Sequence, residues 1–210
     1  MAACAVCIGE SRSIWEADMQ PRFDMEPATS TLESVVAGIR DDQLDASTPC
    51  AETSVRTLLM HVLGLAEAFR QAATKESLGR SQAPDLAALP DLPPDWRPRI
   101  TEQLRALAAA WRAPEAWDGE TEAGGVREVA SVMAAIALDE LVVHGWDLAR
   151  ATGLPFRCAD SHAEVLLEML RGTPPEGVPG LFGPSVAVSH DAPPLDRVLG
   201  LTGRDPDWVA

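Results

Sequence analysis

The stretch LDELVVHGWDLARATG, residues 138–153, places acidic residues and a histidine inside an otherwise apolar helical pattern. The pattern extends back to Val126, and Gly153 followed by Pro155 is typical of a helix end. It predicts one long helix over 126–152. A buried helix face that carries acids requires explanation, because an unpaired buried carboxylate is strongly destabilising or takes up a proton.

The polar residues of this helix share one face. At roughly 100° per residue, Glu140 and His144 lie about 40° apart around the helix, and Asp147 lies about 20° from Glu140. The same face is apolar nearer the start of the helix, so the polar stripe is expected to be buried. Asp139 points away from it and is expected to be in solvent.

Three further helical patterns precede this one. The first covers 28–40, the second starts at a cap formed by Thr53 or Ser54, and the third contains Ile100 to Trp111 and ends before Pro114. The apolar face of the second helix consists of Val55, Leu58, Val62, Leu65 and Phe69.

The rest of the chain predicts smaller elements. A short helix is expected at 160–170, a short extended piece at 186–188 and a last helical turn at 195–201, and nothing supplies a sheet of any size. The apolar residues of the C-terminal tail that need contacts are Leu181, Phe182, Val198 and Leu199. We predict an all-α four-helix bundle over 25–210 with a proline-rich tail packed on it, preceded by a flexible N-terminal extension, 1–24.

The composition of the chain disfavours several kinds of partner and location. The 210 residues carry a formal net charge of −15, which disfavours nucleic acid and anionic membranes as partners. No apolar run approaches a membrane span, and no signal peptide is evident, so we expect a cytoplasmic protein. Its four cysteines are then expected as thiols. Cys4 and Cys7 form a CxxC pair without the second pair that such a zinc site needs.

The second helix also carries a polar residue on its apolar face. His61 lies within about 60° of Leu58 and 40° of Leu65 around this helix. Two inward imidazoles and a carboxylate from two helices can meet in the core of a bundle. These ligands suit zinc and leave one position for water or substrate. The pattern indicates His61, Glu140 and His144 as metal ligands. The alternative is a satisfied core histidine beside a Glu140–His144 pair.

Four other residues carry side chains that could take part in a site. Asp147 is the candidate for a supporting catalytic role, in which it would orient a ligand imidazole; alternatively, it caps Arg150 in a weak surface pair. Cys50 has no histidine near it in sequence and is interpreted as a small packed residue. His162 and His190 lie in polar surroundings and are interpreted as surface residues.

Three segments, taken in order, resemble the signatures of the actinobacterial metal-binding proteins related to the mycothiol-dependent maleylpyruvate isomerase, within the DinB/YfiT-like superfamily. The segments are TPCAETSVRTLLMHVLG (48–64), ALDELVVHGWDLARATG (137–153) and FGPSVAVSHDAPPLDRVLGLTGRDPDW (182–208). The resemblance runs from about residue 25 to the C-terminus, and its most specific motifs are HGWDLA and GRDPxW.

The resemblance implies a DinB/YfiT-like four-helix bundle that holds a divalent metal, usually zinc. Its ligands match His61, Glu140 and His144, the trio that the helical projection also selects. In isomerase-like members, mycothiol is thought to bind the metal through sulfur and to act as the nucleophile. Two departures bear on the substrate: Thr53 replaces a usual aromatic residue, and the chain is too short for the isomerase's additional C-terminal domain.

We therefore expect a divalent-metal-dependent enzyme, a mycothiol-dependent isomerase or S-transferase that acts on a small electrophilic metabolite through a metal-activated thiolate. One alternative is a thiol-independent metal-dependent hydrolase or cyclase of secondary metabolism. Another is a non-catalytic metal-binding module. The expected partners are a small substrate and a low-molecular-weight thiol, and the expected state is a monomer or homodimer.

Overall fold

The computed structural model of the protein describes residues 23–82, 91–178 and 181–209. Within these ranges the chain forms six α-helices and one β-hairpin. In chain order the elements are α1 (Glu26–Gly38), α2 (Val55–Ala73), α3 (Trp96–Trp111), β1 (Glu120–Ala123), β2 (Val126–Val129), α4 (Ala130–Thr152), α5 (Asp160–Met169) and α6 (Pro194–Leu201).

The first four helices form a bundle. α1 packs mainly against α3 and α4, and α2 packs against the same two helices, so the order around the bundle is α1, α3, α2, α4. Every helix contributes fully buried apolar side chains to its interior, among them Leu32, Leu58, Leu104 and Leu138. Burial of such side chains is the main driving force for this packing. The predicted four-helix architecture is confirmed.

Local sequence determines where α2 begins and which face it buries. The Ser54 hydroxyl accepts the backbone N–H of Thr57 at 3.2 Å, which satisfies one of the unpaired donors of the first turn. All five residues of the predicted apolar face are buried. His61 is half-buried, and its side chain extends from this helix toward α4.

α4 begins later than predicted, because residues 126–129 form a β-strand. Gly124 and Gly125 both have positive φ angles, 57° and 79°, as two-residue hairpin turns require. The two antiparallel strands pair in register, and Arg127 reaches across to Glu120 with an Nη2 to Oε2 distance of 2.8 Å. The expectation that 126–129 belong to the long helix is wrong, since the glycine turn outweighs the helical pattern here.

α4 is enclosed on nearly all sides. Its neighbours include α1, α2, α5 and the hairpin, and nearly all of its 23 residues are buried. It ends at Gly153, which has a φ of 70°, so the predicted C-terminal glycine is confirmed. Most polar side chains of α4 are therefore removed from water and need partners within the protein.

The C-terminal tail packs on the bundle as predicted. α6 lies against α5, and Val198 and Leu199 are fully buried while Phe182 is partly buried against the core. Leu181 is 53% exposed, so the expectation that it packs is wrong. No strand forms at 186–188, where irregular chain is tied to α6 through a single backbone hydrogen bond from Val186 to Gly200.

The N-terminal extension predicted for 1–24 lies mostly outside the described residues, as do Cys4 and Cys7. Phe23 packs edge to face on Trp117 with ring centroids 5.2 Å apart, and the Asp24 carboxylate accepts the N–H of Glu26 at 3.0 Å. Ordered packing therefore reaches at least to Phe23. Among the described helices, none has the length and apolar character needed to cross a membrane.

Candidate metal centre

Three side chains from α2 and α4 converge on one point. Nε2 of His61 lies 3.1 Å from Oε2 of Glu140, and Nε2 of His144 lies 3.0 Å from the same oxygen. The two imidazole rings meet edge to face with centroids 5.0 Å apart. The structure thus brings together the three residues that the helical projection selected from separate helices.

The three side chains lie at the edge of the core. His144 has 11% of its side chain exposed, whereas His61 and Glu140 have 23% and 26% exposed. Imidazole and carboxylate groups at this depth are only weakly hydrated, so their mutual contacts are stronger than on a surface. The exposed fractions of His61 and Glu140 show that the group is in part accessible to solvent.

The group is strongly coupled electrostatically. Burial alone would lower the pKa of His144, but the carboxylates of Glu140 and Asp147 outweigh it and raise this pKa to about 10. Burial alone would raise the pKa of Glu140, but His144 and His61 outweigh it and lower this pKa. In the absence of a cation, Glu140 is therefore ionised and His144 is protonated at neutral pH.

The donor set fits a divalent cation. Two imidazole nitrogens and a carboxylate oxygen are ligands that zinc accepts. The three atoms lie within 4.8 Å of one another, and the separations of 3.0 and 3.1 Å suit atoms that would each lie about 2.0–2.1 Å from one Zn²⁺. The group thus offers a cation one carboxylate charge and, once His144 loses its proton, two imidazole lone pairs.

Asp147 lies behind His144. Its Oδ2 is 3.1 Å from Nδ1 of His144, and the Asp147 side chain is fully buried. If Nδ1 donates to this carboxylate, the lone pair of neutral His144 is on Nε2 and faces Glu140. The alternative partner, Arg150, donates instead to the backbone oxygens of Pro206 and Trp208 at 2.9 and 2.8 Å.

Arg204 is the partner of Asp147 that sequence reasoning missed. Its Nη2 lies 3.1 Å from Oδ2 of Asp147 and its Nε 3.4 Å from Oδ1, and only 10% of the Arg204 side chain is exposed. The two residues are 57 positions apart, so no helical spacing relates them. The available signal was an arginine within the GRDPxW motif of the tail.

Cys50 is the second residue that was missed. Its Sγ lies within 4.8 Å of a ring nitrogen of His144 and of a carboxylate oxygen of Asp147. The residue is half-buried and its thiol is free, as is that of Cys158, so the prediction of thiols holds for both. Cys50 is far from every histidine but His61 in sequence, yet the fold brings it close to His144.

Two other expectations about polar residues are wrong. Asp139 is only 5% exposed and its Oδ1 has no hydrogen-bond partner among the described residues, because α4 is enclosed on the outer face as well. His162 is 3% exposed, since it lies on the inner face of α5 and its Nε2–H donates to the backbone oxygen of Asp24 at 2.8 Å. His190 is exposed, as expected.

The chain is similar in sequence to a known domain family and to two curated proteins. A family model described as the mycothiol maleylpyruvate isomerase N-terminal domain matches residues 25–149. One uncharacterized protein from each of the Mycobacterium tuberculosis strains H37Rv and CDC 1551 is 25% identical over 196 residues, which span 89% of this chain and 98% of the relative.

Two solved structures have a fold similar to that of this chain. Crystal structures of the mycothiol-dependent maleylpyruvate isomerase and of a histidine-to-alanine mutant of it each superpose with a TM-score of 0.55 at 18% identity. The match covers 76% of this chain and 70% of the other. At this identity the likeness establishes a shared helical fold.

Proposed function

The chain belongs to the mycothiol maleylpyruvate isomerase N-terminal domain family, and from this premise we propose that it is a divalent-metal-dependent enzyme of small-thiol chemistry. The family membership that the three sequence motifs predicted is confirmed. The specific reaction that we propose is isomerisation or S-transfer on a small electrophilic metabolite, with mycothiol as the thiol and zinc as the metal. His61, Glu140 and His144 would hold the cation.

One observation carries the proposal: the Nε2 atoms of His61 and His144 both approach Oε2 of Glu140, at 3.1 and 3.0 Å. Without a cation, the carboxylate between a buried and a half-buried imidazole forms only a cluster of ion pairs, and the loss of hydration makes such a cluster unfavourable. As ligands, the same three groups supply one negative charge and leave a coordination position free, as catalytic zinc sites do.

A cation held there would lower the pKa of a coordinated thiol from roughly 8.5, so that the thiolate predominates at neutral pH. The protein's own groups perform the remaining tasks. Asp147 accepts the Nδ1–H of His144 and so directs the ring's other nitrogen to the centre. His144 and Asp147 are both buried, so the inner side of the centre is shielded from water.

The reaction depends on the electrophile that meets the thiolate. Addition to an activated alkene, rotation about the resulting single bond and elimination of the thiol give cis/trans isomerisation. Attack at a carbon that bears a leaving group gives S-transfer instead. Both reactions need the same nucleophile in the same place, so one centre serves either. The cytoplasmic location and the monomeric or homodimeric state remain predictions.

The proposal is tested on the purified full chain. Elemental analysis after dialysis should find about one zinc per chain, and mycothiol added to the cobalt-substituted protein should produce a sulfur-to-cobalt charge-transfer band. The desthiol analogue is the matched control and should leave the spectrum unchanged. Absence of a bound divalent metal, or a spectrum that no thiol changes, would reject the proposal.

Activity and metal-exchange assays on the same purified protein distinguish the alternative functions. Turnover of candidate electrophiles only when mycothiol is present supports the thiol-dependent enzyme. Turnover in thiol-free buffer would indicate the hydrolase or cyclase, in which coordinated water is activated instead. A bound metal that neither exchanges nor responds to any small ligand would indicate a metal-stabilised binding module.

A further inference from the structure

Arg204 lies in the C-terminal tail, yet its guanidinium is directed into the region behind the metal centre. Nη2 and Nε contact the two carboxylate oxygens of Asp147 at 3.1 and 3.4 Å, and Nη1 donates to the backbone oxygen of Thr202 at 2.7 Å. A guanidinium with 10% exposure is tolerated only when it is paired in this way. The two-pronged contact fixes the plane of the Asp147 carboxylate.

The contacts continue without interruption to the metal ligands. Oδ2 of Asp147, which receives Nη2 of Arg204, also lies 3.1 Å from Nδ1 of His144. The opposite ring nitrogen, Nε2, lies 3.0 Å from Oε2 of Glu140. Arg204 thus orients the carboxylate that orients the imidazole, and it places a second positive charge beside the buried carboxylate of Asp147.

The tail is built to hold Arg204 in this place. The backbone N–H of Arg204 donates to Leu199 at 2.8 Å, which ties it to the end of α6. Four residues further on, Arg150 of α4 donates to Trp208 at 2.8 Å. Gly203 has a φ of 79°, and a Cβ there would lie 3.1 Å from the backbone oxygen of Pro184, so this bend requires glycine.

We infer that the tail segment 202–208 is a working part of the metal centre, in which Arg204 is a positioning residue that acts on His144 through Asp147. The inference rests on the proposed function, since it assumes that His144 binds the cation. Outer partners of ligand histidines typically contribute about 10- to 100-fold to metal affinity. Arg204 is one residue further out, so we expect about a 10-fold effect.

The test is a zinc competition titration with a chromophoric chelator, together with the visible spectrum of the cobalt form. Arg204→Gln and Asp147→Asn should each weaken zinc binding about 10-fold or more and alter the cobalt spectrum. The double variant should bind about as weakly as the weaker single variant, because both changes break one chain of contacts. Arg204→Lys keeps the positive charge but loses the two-pronged contact with Asp147. Its zinc affinity should therefore lie between those of the wild type and Arg204→Gln.

Arg97→Gln is the matched control. Arg97 also pairs with an acid and a backbone oxygen, Asp41 at 2.8 Å and Ile39 at 2.7 Å, but it belongs to α3 and takes no part in the centre. This variant should keep wild-type zinc affinity and the wild-type cobalt spectrum even if it unfolds at a lower temperature. Equal weakening in Arg97→Gln and Arg204→Gln would overturn the inference, because it would show a general loss of stability.

Two further outcomes count against the inference. One is a folded Arg204→Gln protein with wild-type zinc affinity and spectrum, and the other is strict additivity in the double variant. If Arg204→Gln does not fold, Arg204→Lys replaces it, and wild-type affinity and spectrum there overturn the inference as well. Failure of the wild-type chain to bind any divalent metal would instead reject the proposed function, so the two failures are distinguishable.

Discussion

His144 lies one helical turn after Glu140 on α4, and its Nε2 is 3.0 Å from the Glu140 carboxylate. On its other side, Nδ1 is 3.1 Å from Asp147. Burial opposes protonation of this ring, but the two carboxylates raise the pKa of His144 to about 10. In the metal-free protein a proton therefore lies at the nitrogen that a cation would use.

Zinc binding should consequently release about one proton at pH 7. Between pH 6 and 9 the apparent affinity should rise by about 10-fold per pH unit, because the metal competes with that proton. Calorimetric titration in buffers that differ in ionisation enthalpy gives the number of protons released. Binding without proton release, or affinity independent of pH, would show that His144 is neutral in the metal-free state or is not a ligand.

Replacement of Glu140 by glutamine should nearly abolish metal binding. The change removes the charge that both imidazoles face, so we expect a loss larger than the roughly 100-fold upper range for outer-shell partners. Zinc content after dialysis and the chelator titration measure it. Glu33→Gln is a suitable control, because Glu33 pairs with Arg105 at 3.1 Å away from the site; retention of zinc by Glu140→Gln would remove the basis of the proposed centre.

Much of the site could be predicted from sequence because helical periodicity is local information. Spacing along one helix placed Glu140, His144 and Asp147 on one face, and an apolar pattern on another helix identified His61 as an inward histidine. Both depend on about 3.6 residues per turn and on burial of apolar faces. The same local information predicted the bundle, the end of α4 at Gly153 and a cap at Thr53 or Ser54, of which the structure selects Ser54.

What sequence did not predict depends on packing between distant segments. Asp139 faces away from the polar stripe of α4, as projection predicts, but tertiary packing encloses that face as well. Arg204 and Cys50 reach the centre from the tail and from the turn before α2, and no spacing encodes either approach. The β-hairpin was a different case, since Gly124–Gly125 is a local turn signal that the helical pattern obscured.

The buried carboxylate of Asp139 should destabilise the protein as pH rises. Burial, with a contribution from Glu140, raises the pKa of Asp139 to about 7 against opposing effects of Arg204 and His144. Between about pH 4 and 7 the folded state therefore holds a proton that the unfolded state has lost, so stability falls through this range.

Asp139→Asn should therefore stabilise the metal-free protein, with little gain near pH 4 and a gain of about 2 kcal/mol above pH 7, as an order of magnitude. Urea unfolding at pH 4.5 and pH 8 in the presence of a chelator measures the difference. Asp191→Asn, at a fully solvated acid (96% exposed), should change stability at neither pH. An Asp139→Asn protein that is less stable than wild type at pH 8 would show that this carboxylate is compensated.

Cys50 should react with a maleimide about 10-fold or more faster than Cys158. Burial, with a contribution from Asp160, raises the pKa of the Cys158 thiol to about 11, so little thiolate is present there. Peptide mass spectrometry in a Cys4→Ser/Cys7→Ser background gives both rates. Since Sγ of Cys50 lies within 4.8 Å of His144, the adduct should also weaken zinc binding, whereas the Cys50→Ser protein should keep its affinity after the same treatment. Equal rates, or an adduct without effect on zinc, would place Cys50 outside the working centre.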